Sequence, residues 1–225
     1  MALRPDDDAL ATIRSAAEDV AWLLGRDYPP DAVSAFVSEH RQLGPAERHL
    51  LSANARMVAR VRHHIAREMD PEDVVRRPLR VDAPNVLAVV AAAPQGKLLL
   101  ESPAGVLTDP DWSRAEHLPE GEALSEAARR CCAALKPLRP KTVQVLLEAK
   151  DPDTDRAVAA FEAAAKTTKL KGVTVERVPS VPDALAGGGF VVSSDAAVLD
   201  RCATWVNLVP LVLAEIDHPA PLRLE

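Results

Sequence analysis

The chain has 225 residues, of which 48% are hydrophobic and 27% charged, and its net charge is −6, a mixture ordinary for one large folded domain or for a domain with a helical extension. No stretch approaches the roughly 20 consecutive apolar residues that a membrane span requires, which argues against a membrane protein. Acidic residues stand near the N-terminus where a signal peptide would carry basic and apolar ones, so we expect a cytoplasmic protein with no membrane partner.

Residues 1–77 predict a helical N-terminal segment. Apolar residues recur at steps of three and four from Asp8 to Leu24, the spacing of one helix face. A short second helix is expected from Ala32 to Val37. A longer third helix begins near Pro45, since proline is favoured in the first turn, and runs to about Met69.

Residues 78–216 alternate between strand and helix patterns. Five segments are predicted as strands suited to parallel pairing, at residues 79–82, 97–101, 142–148, 173–178 and 190–192. Between and after them, residues 85–93, 124–135, 155–165 and 195–202 favour helices. This alternation indicates an α/β fold with a mainly parallel sheet covered on both faces. Residues 217–225, which contain two prolines, are expected to form a tail that leaves the globule.

Positive charge is concentrated in the third predicted helix and just after it. Residues 41–80 hold nine arginines against five acidic residues, a local balance of +4. One interpretation is a basic arm that binds nucleic acid, with Arg56, Arg60 and Arg67 as substrate contacts. The other is an arginine-rich, solvated helix face, on which His63 and His64 would also be solvated.

Three predicted strands end in a carboxylate: Asp82, Glu148 and Asp195. In open α/β sheets the functional crevice lies beyond the carboxyl ends of the strands, so these groups would converge if their strands are neighbours. Converging carboxylates repel each other unless a cation neutralises them, and oxygen ligands suit Mg²⁺ or Mn²⁺. The alternative is structural, with Asp195 as a helix cap and Asp82 as a turn residue.

Other residues could complete or exclude such a site. Asp109 and Asp111 are candidates for further loop ligands of the metal, with a solvated turn as the alternative, and Asn85 is a candidate hydrogen-bond partner for substrate or a ligated water. The sequence lacks the common glycine-rich nucleotide-binding, serine-hydrolase and zinc-protease motifs. The three cysteines, Cys131, Cys132 and Cys202, lie in alanine-rich or apolar patterns without metal-binding spacing, which indicates buried, unreactive thiols.

Several short motifs resemble a little-characterised prokaryotic family of unknown function. They are Ala21–Pro29, Leu43–Arg48, Val81–Leu87, Ser194–Asp195 leading to Asp200, and Trp205–Leu208. The C-terminal domain of that family is similar to the PIN and NYN group of metal-dependent ribonucleases. The resemblance implies a PIN-like three-layer α/β/α sandwich, preceded by an α-helical N-terminal segment. It places metal-site functions on Asp82, Asn85, Asp109 and Asp195.

The chain departs from that family's pattern at five places, one of which is residues 149–155, where a serine- and glycine-bearing segment is expected. Ala83-Pro84 replaces an expected Asp-Gly, and Pro103-Ala104 replaces an acidic pair. Glu148 stands where an Asp is expected, and Asn207 replaces a late Asp. Each change removes or moves a charge that a metal would need, so the activity could be lost or altered on a retained scaffold.

Two functions follow as hypotheses. The first is a PIN-like, divalent-metal-dependent ribonuclease, in intact or degenerate form. In it Asp82, Glu148 and Asp195 are catalytic, these three and Asp109 hold Mg²⁺ or Mn²⁺, and Asn85, Ser194 and the three arginines contact RNA. The second is a non-catalytic interaction or ligand-binding protein on the same scaffold, in which the helical segment offers an apolar surface to a partner or a second copy. An enzyme acting on a phosphorylated small molecule in the same crevice is a third alternative.

Overall fold

The computed structural model describes residues 4–111 and 118–224. Its helices are α1 Asp7–Leu24, α2 Pro30–His40, α3 Pro45–Val58, α4 Val61–Arg67, α5 Ala83–Ala92, α6 Gly121–Leu135, α7 Thr154–Thr168, α8 Val181–Leu185, α9 Ala196–Leu199 and α10 Leu208–Leu213. Its strands are β1 Pro78–Asp82, β2 Leu100–Glu101, β3 Leu107–Thr108, β4 Thr142–Glu148, β5 Val173–Val178 and β6 Val191–Val192. No described helix is both long and apolar enough to cross a lipid bilayer.

Within the described residues, four strands form one sheet in the order β5-β4-β1-β6, and all three pairings are parallel. Val81 of β1 lies opposite Val145 of β4 on one side and Val192 of β6 on the other. The predicted α/β class and the mainly parallel sheet are therefore confirmed. Helices connect the parallel strands because the chain must run back along the length of one strand before the next can point in the same direction.

The expectation that all five strand segments pair in parallel is wrong for residues 97–101. This segment contributes β2, which pairs antiparallel with β3 in a separate two-stranded sheet. A tight turn reverses the chain, with the Gly105 amide donating to the Ser102 carbonyl at 2.8 Å. Gly105 has a φ of +69°, which glycine adopts without the steric cost of a Cβ atom.

The N-terminal helices are an integral layer of the fold. One core lies between the sheet and α5, α6, α7 and α10, while a second core lies on the other face. In this second core Ile13, Leu50 and Leu51 pack with Leu146 and Val191 of the sheet, all 0–1% exposed. The helical segment thus does more than precede the sandwich, because its apolar faces cover one side of the sheet.

Two other local predictions need correction. The long third helix is broken at Arg60, whose φ of −128° separates α3 from α4. The tail does not leave the globule: Leu222 and Leu224 are each 2% exposed, and the Leu222 amide donates to the Leu99 carbonyl at 2.7 Å. The two leucines of this segment bury enough apolar surface to hold it against the second core in spite of its prolines.

Candidate active site at the carboxyl edge of the sheet

The order of the strands creates a reversal point between β1 and β6. From β1 the chain crosses to β4 and then to β5 on one side, whereas β6 lies on the other side of β1. In open α/β sheets the loops that follow two such strands run in opposite directions and leave a crevice between them. Asp82 ends β1, and Ser193, Ser194 and Asp195 follow β6, so they meet at this crevice.

Asp82 is a buried carboxylate whose hydrogen bonding is incomplete. Its side chain is 0% exposed, and its Oδ2 accepts hydrogen bonds from Ser193 Oγ at 2.6 Å and from Asn85 Nδ2 at 2.9 Å. Its Oδ1 is buried with no hydrogen-bond partner among the described residues. Burial raises the pKa of Asp82 to about 7, and the negative charge of Asp195 raises it further. The hydrogen bonds from Ser193 and Asn85 act in the opposite direction.

Asp195 has a structural and an electrostatic role at the same place. Its Oδ1 accepts from the Ala197 amide at 2.9 Å and caps α9, as the structural alternative predicted. Burial also raises the pKa of Asp195, while the nearby Arg56 guanidinium opposes the rise. A capping carboxylate keeps a second oxygen, so capping does not prevent Asp195 from binding a cation.

These residues line a cleft of about 490 Å³. Among the described residues, six acidic residues and one arginine line it: Asp82, Asp109, Glu148, Asp151, Asp195, Asp200 and Arg56. The cleft therefore brings together all four predicted metal ligands and the predicted substrate residues Asn85, Ser194 and Arg56. An excess of negative charge in a partly desolvated space attracts cations.

Asp109 reaches the cleft from the loop after β3. Its side chain is 6% exposed, and burial raises its pKa in spite of Lys97, whose Nζ lies 3.9 Å from Oδ2. The adjacent Asp111 does not line the cleft and instead lies 3.6 Å from His49 Nε2. Of these two loop acids, Asp109 lines the cleft and Asp111 does not.

The three arginines of the predicted basic arm have different surroundings. Arg67 Nη1 donates to the Cys202 carbonyl at 2.6 Å and joins α4 to the segment after α9, while Arg60 is exposed outside the cleft. Arg56 alone of the three lines the cleft, and its Nη1 lies 3.4 Å from Asp31 on the surface. Exposed pairs of this kind contribute at most about 1 kcal/mol, so Arg56 can exchange Asp31 for another anion.

One histidine prediction is wrong as well. His64 is 1% exposed, and its Nε2 lies 2.8 Å from Oδ1 of Asp200. The sequence pattern suggested a solvated position because neighbouring residues on α4 are arginines. The tertiary contact with α9, distant in sequence, reverses that expectation.

The donor set fits a divalent cation in kind. The unpartnered Oδ1 of buried Asp82, the carboxylate of Asp195 near it and the other cleft acids are oxygen donors, which Mg²⁺ and Mn²⁺ prefer. Within residues 4–111 and 118–224, however, no three His, Cys, Asp or Glu side chains are grouped closely enough to hold one metal ion. A site with one or two direct carboxylate ligands is the kind that Mg²⁺ uses when waters and phosphate oxygens complete its shell.

The departure at Asn207 does not affect the cleft. Asn207 Nδ2 donates to the Gly105 carbonyl at 3.0 Å, a bond that an ionised Asp could not make, and Asn207 does not line the cleft. At the first departure Ala83 is fully buried and Pro84 forms part of the cleft wall. Neither Ala83 nor Asn207, which occupy positions where the family pattern has acidic residues, lines the cleft.

Sequence reasoning missed three cleft features. Ser193 donates a hydrogen bond to Asp82, whereas the predicted Ser194 lines the cleft; how the two serines divide these contacts depends on the loop conformation after β6. Asp151, on the turn after β4, also lines the cleft. The pairing of Asp200 with His64 joins residues 136 positions apart, and no local pattern reports it.

The fold and the cleft define an α/β protein with a parallel sheet and an acidic crevice at its reversal point. The chain belongs to the family described as a domain of unknown function (DUF5616), whose family model matches residues 71–210. Residues 12–72 match the family described as a protein of unknown function (DUF434). The resemblance to an uncharacterised family is confirmed to this extent. Searches of curated proteins and of solved structures returned no match to the chain.

Proposed function

We propose that this protein is a PIN-like, divalent-metal-dependent nuclease that hydrolyses RNA. The observation that carries the proposal is the buried Asp82 carboxylate, which leaves Oδ1 without a partner beside Asp195 in an acidic cleft. A buried carboxylate oxygen without a partner costs about 1–3 kcal/mol of folding free energy, and a ligand that pairs with it would remove this cost. A bound Mg²⁺ or Mn²⁺ would satisfy this oxygen and offset the repulsion among the cleft acids.

Each residue of the cleft would have a separate task. Asp82 and Asp195 would hold the cation, with Ser193 and Asn85 fixing the orientation of Asp82 through its other oxygen. Asp109 and Glu148, which line the same cleft, would hold its hydration shell. When bound, the cation supplies Lewis-acid stabilisation of a phosphodiester and lowers the pKa of water.

Arg56 would bind the phosphate of the substrate. It lies near enough to Asp195 for its charge to oppose the rise in pKa that burial causes at that carboxylate, and its exposed pair with Asp31 is weak enough to release it. A guanidinium presents paired donors that match phosphate oxygens. The acidic cleft would repel RNA in the absence of the cation, which makes substrate binding dependent on the metal.

The experiment measures thermal unfolding and RNA cleavage in the presence and absence of Mn²⁺. At a hundredfold excess over the dissociation constant, Mn²⁺ should stabilise the wild type by about 2.7 kcal/mol. Asp82→Asn and Asp195→Asn should lose this stabilisation together with cleavage of single-stranded RNA. Asp155→Asn, at an 86% exposed side chain outside the cleft, is the matched control and should behave as the wild type. Mn²⁺ stabilisation that persists in both cleft variants would refute the metal site.

A second function, binding of a ligand without hydrolysis, is favoured by one observation. No three potential ligands among the described residues are grouped for one ion, whereas hydrolytic metal sites usually fix their ions tightly. Mn²⁺-dependent stabilisation and RNA binding by the wild type, without any cleavage, would favour this function over the nuclease.

A further inference from the structure

Two histidines on α4 approach Asp200, at the C-terminal end of α9. His64 is 1% exposed and its Nε2 lies 2.8 Å from Asp200 Oδ1. His63 stands beside it, with its ring centroid 6.4 Å from that of His64. The N-terminal layer thus contacts a carboxylate that lines the cleft but belongs to none of the roles described above.

The backbone that carries His64 is anchored to Trp205. The His64 carbonyl accepts a hydrogen bond from the indole Nε1 of Trp205 at 2.7 Å, and Trp205 is 0% exposed. The backbone of Trp205 also bonds to residues next to α4, with its amide 3.0 Å from the Arg67 carbonyl and its carbonyl 2.8 Å from the Met69 amide. The buried imidazole therefore extends from an anchored backbone, which limits the freedom that it loses when it orients another group.

The hydrogen bonding assigns the tautomer of His64. Nδ1 is buried and has no partner among the described residues. A hydrogen on Nδ1 would be a buried donor without an acceptor, which is costly. The hydrogen therefore lies on Nε2, and Nε2–H donates to Asp200 Oδ1.

We propose that Asp200 is a further catalytic residue, which accepts the proton of the attacking water, and that His64 is the positioning residue that holds it. This inference rests on the proposed nuclease function. The Asp200 side chain is 28% exposed and lines the cleft, so it contacts solvent in the space where a phosphodiester would lie. Asp82 and Asp195 would be engaged by the cation, which leaves them unsuited to take a proton.

The step balances in atoms and charge. The water oxygen forms a bond to phosphorus, and the bond between phosphorus and the leaving ribose oxygen breaks. One water proton passes to an oxygen of Asp200, and the leaving oxygen takes a proton from solvent. The Nε2–H of His64 keeps its bond to Oδ1, so the proton is received by a carboxylate that is already oriented.

The test uses the full chain with Mn²⁺ and a single-stranded RNA, and it measures kcat and KM separately. Asp200→Asn keeps the shape and an acceptor for His64 but removes the base. It should lower kcat by about 100-fold or more, with KM and the Mn²⁺-induced melting shift unchanged. His64→Leu should lower kcat about tenfold, and His64→Gln should recover part of the loss because its amide can donate to Asp200. Asp155→Asn is the control.

Each other outcome has a definite meaning. Asp200→Asn with wild-type kcat would overturn the catalytic role of Asp200. His64→Leu with wild-type kcat, or a His64→Gln variant that recovers nothing while it folds normally, would overturn the positioning role. A wild type that binds Mn²⁺ but cleaves no RNA would overturn the nuclease proposal and this one together, whereas active cleavage with unaffected variants overturns this one alone.

Discussion

Two regions of the molecule bury ionisable groups, and they do so with different consequences. Cys131 and Cys132 lie on α6 inside the first core, and Asp82 lies at the end of β1. Burial raises the pKa of all three, to about 11 for Cys132 and to about 7 for Asp82. The thiols are surrounded by apolar side chains, whereas Asp82 lines a cleft and has an unpartnered oxygen.

The comparison shows that burial alone does not mark a functional group. A thiol behaves as a small apolar side chain, so it remains neutral in the core at little cost. A carboxylate that is buried and incompletely bonded is costly, and such cost is found mainly where a ligand relieves it. Access to a cleft, together with the unpartnered atom, distinguishes the two regions.

The largest effect that would test this comparison is the contribution of Asp82 to the pH dependence of the free energy of unfolding. Its folded pKa of about 7 lies above the ordinary value of 3.8, so from about pH 4 to 7 the folded state keeps a proton that the unfolded state has lost. This contribution is fully present below about pH 4 and decreases as pH rises through 7, by on the order of 4 kcal/mol in the limit. Urea unfolding of metal-free protein between pH 4.5 and 8 measures it.

Asp82→Asn should remove most of this pH dependence. Burial also raises the pKa of Asp109 and Asp195, so the wild type has additional dependence of the same sign and the difference between the two proteins is the relevant quantity. Equal slopes in the wild type and in Asp82→Asn would mean that Asp82 is ionised in the folded protein throughout this range.

A smaller effect, on substrate binding, is expected at Arg56, which lines the cleft but is exposed to solvent. Arg56→Gln should raise KM for RNA about tenfold, which corresponds to about 1.4 kcal/mol, and should leave Mn²⁺ stabilisation intact. Arg41→Gln is the matched control, since Arg41 pairs with Asp19 at 2.6 Å on the surface of the same layer, outside the cleft. An unchanged KM for Arg56→Gln would remove Arg56 from the substrate site.

The smallest effects are expected at the cysteines. Cys132→Ala should destabilise the fold by about 1 kcal/mol through the cavity it leaves, with cleavage and Mn²⁺ stabilisation unchanged. In the folded protein Cys131, Cys132 and Cys202 are all buried, so an aromatic disulfide reagent at pH 8 should label them only when the protein unfolds. Rapid labelling of the native protein, or loss of cleavage in Cys132→Ala, would show that the cysteines are not the inert buried groups that this comparison requires.

Local patterns predicted much of the secondary structure. The strands at 142–148 and 173–178 were predicted at the residues where β4 and β5 lie, and α1 begins one residue before its predicted start. β-branched and apolar runs bounded by turns specify strands, and apolar spacing specifies helices, because both depend on residues close together in sequence. The short α8 and α10 were missed, since six or fewer residues give too little periodicity to detect.

The candidate site was predictable in part, because its residues lie at the ends of strands that could be recognised in the sequence. Asp82, Glu148 and Asp195 are at strand ends that a parallel sheet places at one edge, so their presence in one cleft follows from topology. Their spacing does not follow, and no three of the described acidic, histidine or cysteine side chains form a group for one ion. Arg60 and Arg67 were predicted from charge alone, which reports composition and not the direction of a side chain.

The sequence by itself determined the alternation of strands and helices, the acidic strand ends and the burial of the cysteines, because each of these depends on short-range periodicity and polarity. Tertiary structure alone decided that the N-terminal helices cover the second face of the sheet, that Leu222 returns to pair beside β2, and that His64 holds Asp200. These contacts join residues far apart in the chain, 136 positions in the case of His64 and Asp200. They are selected by the total apolar surface buried and by the partners available to polar groups, which only the assembled fold defines.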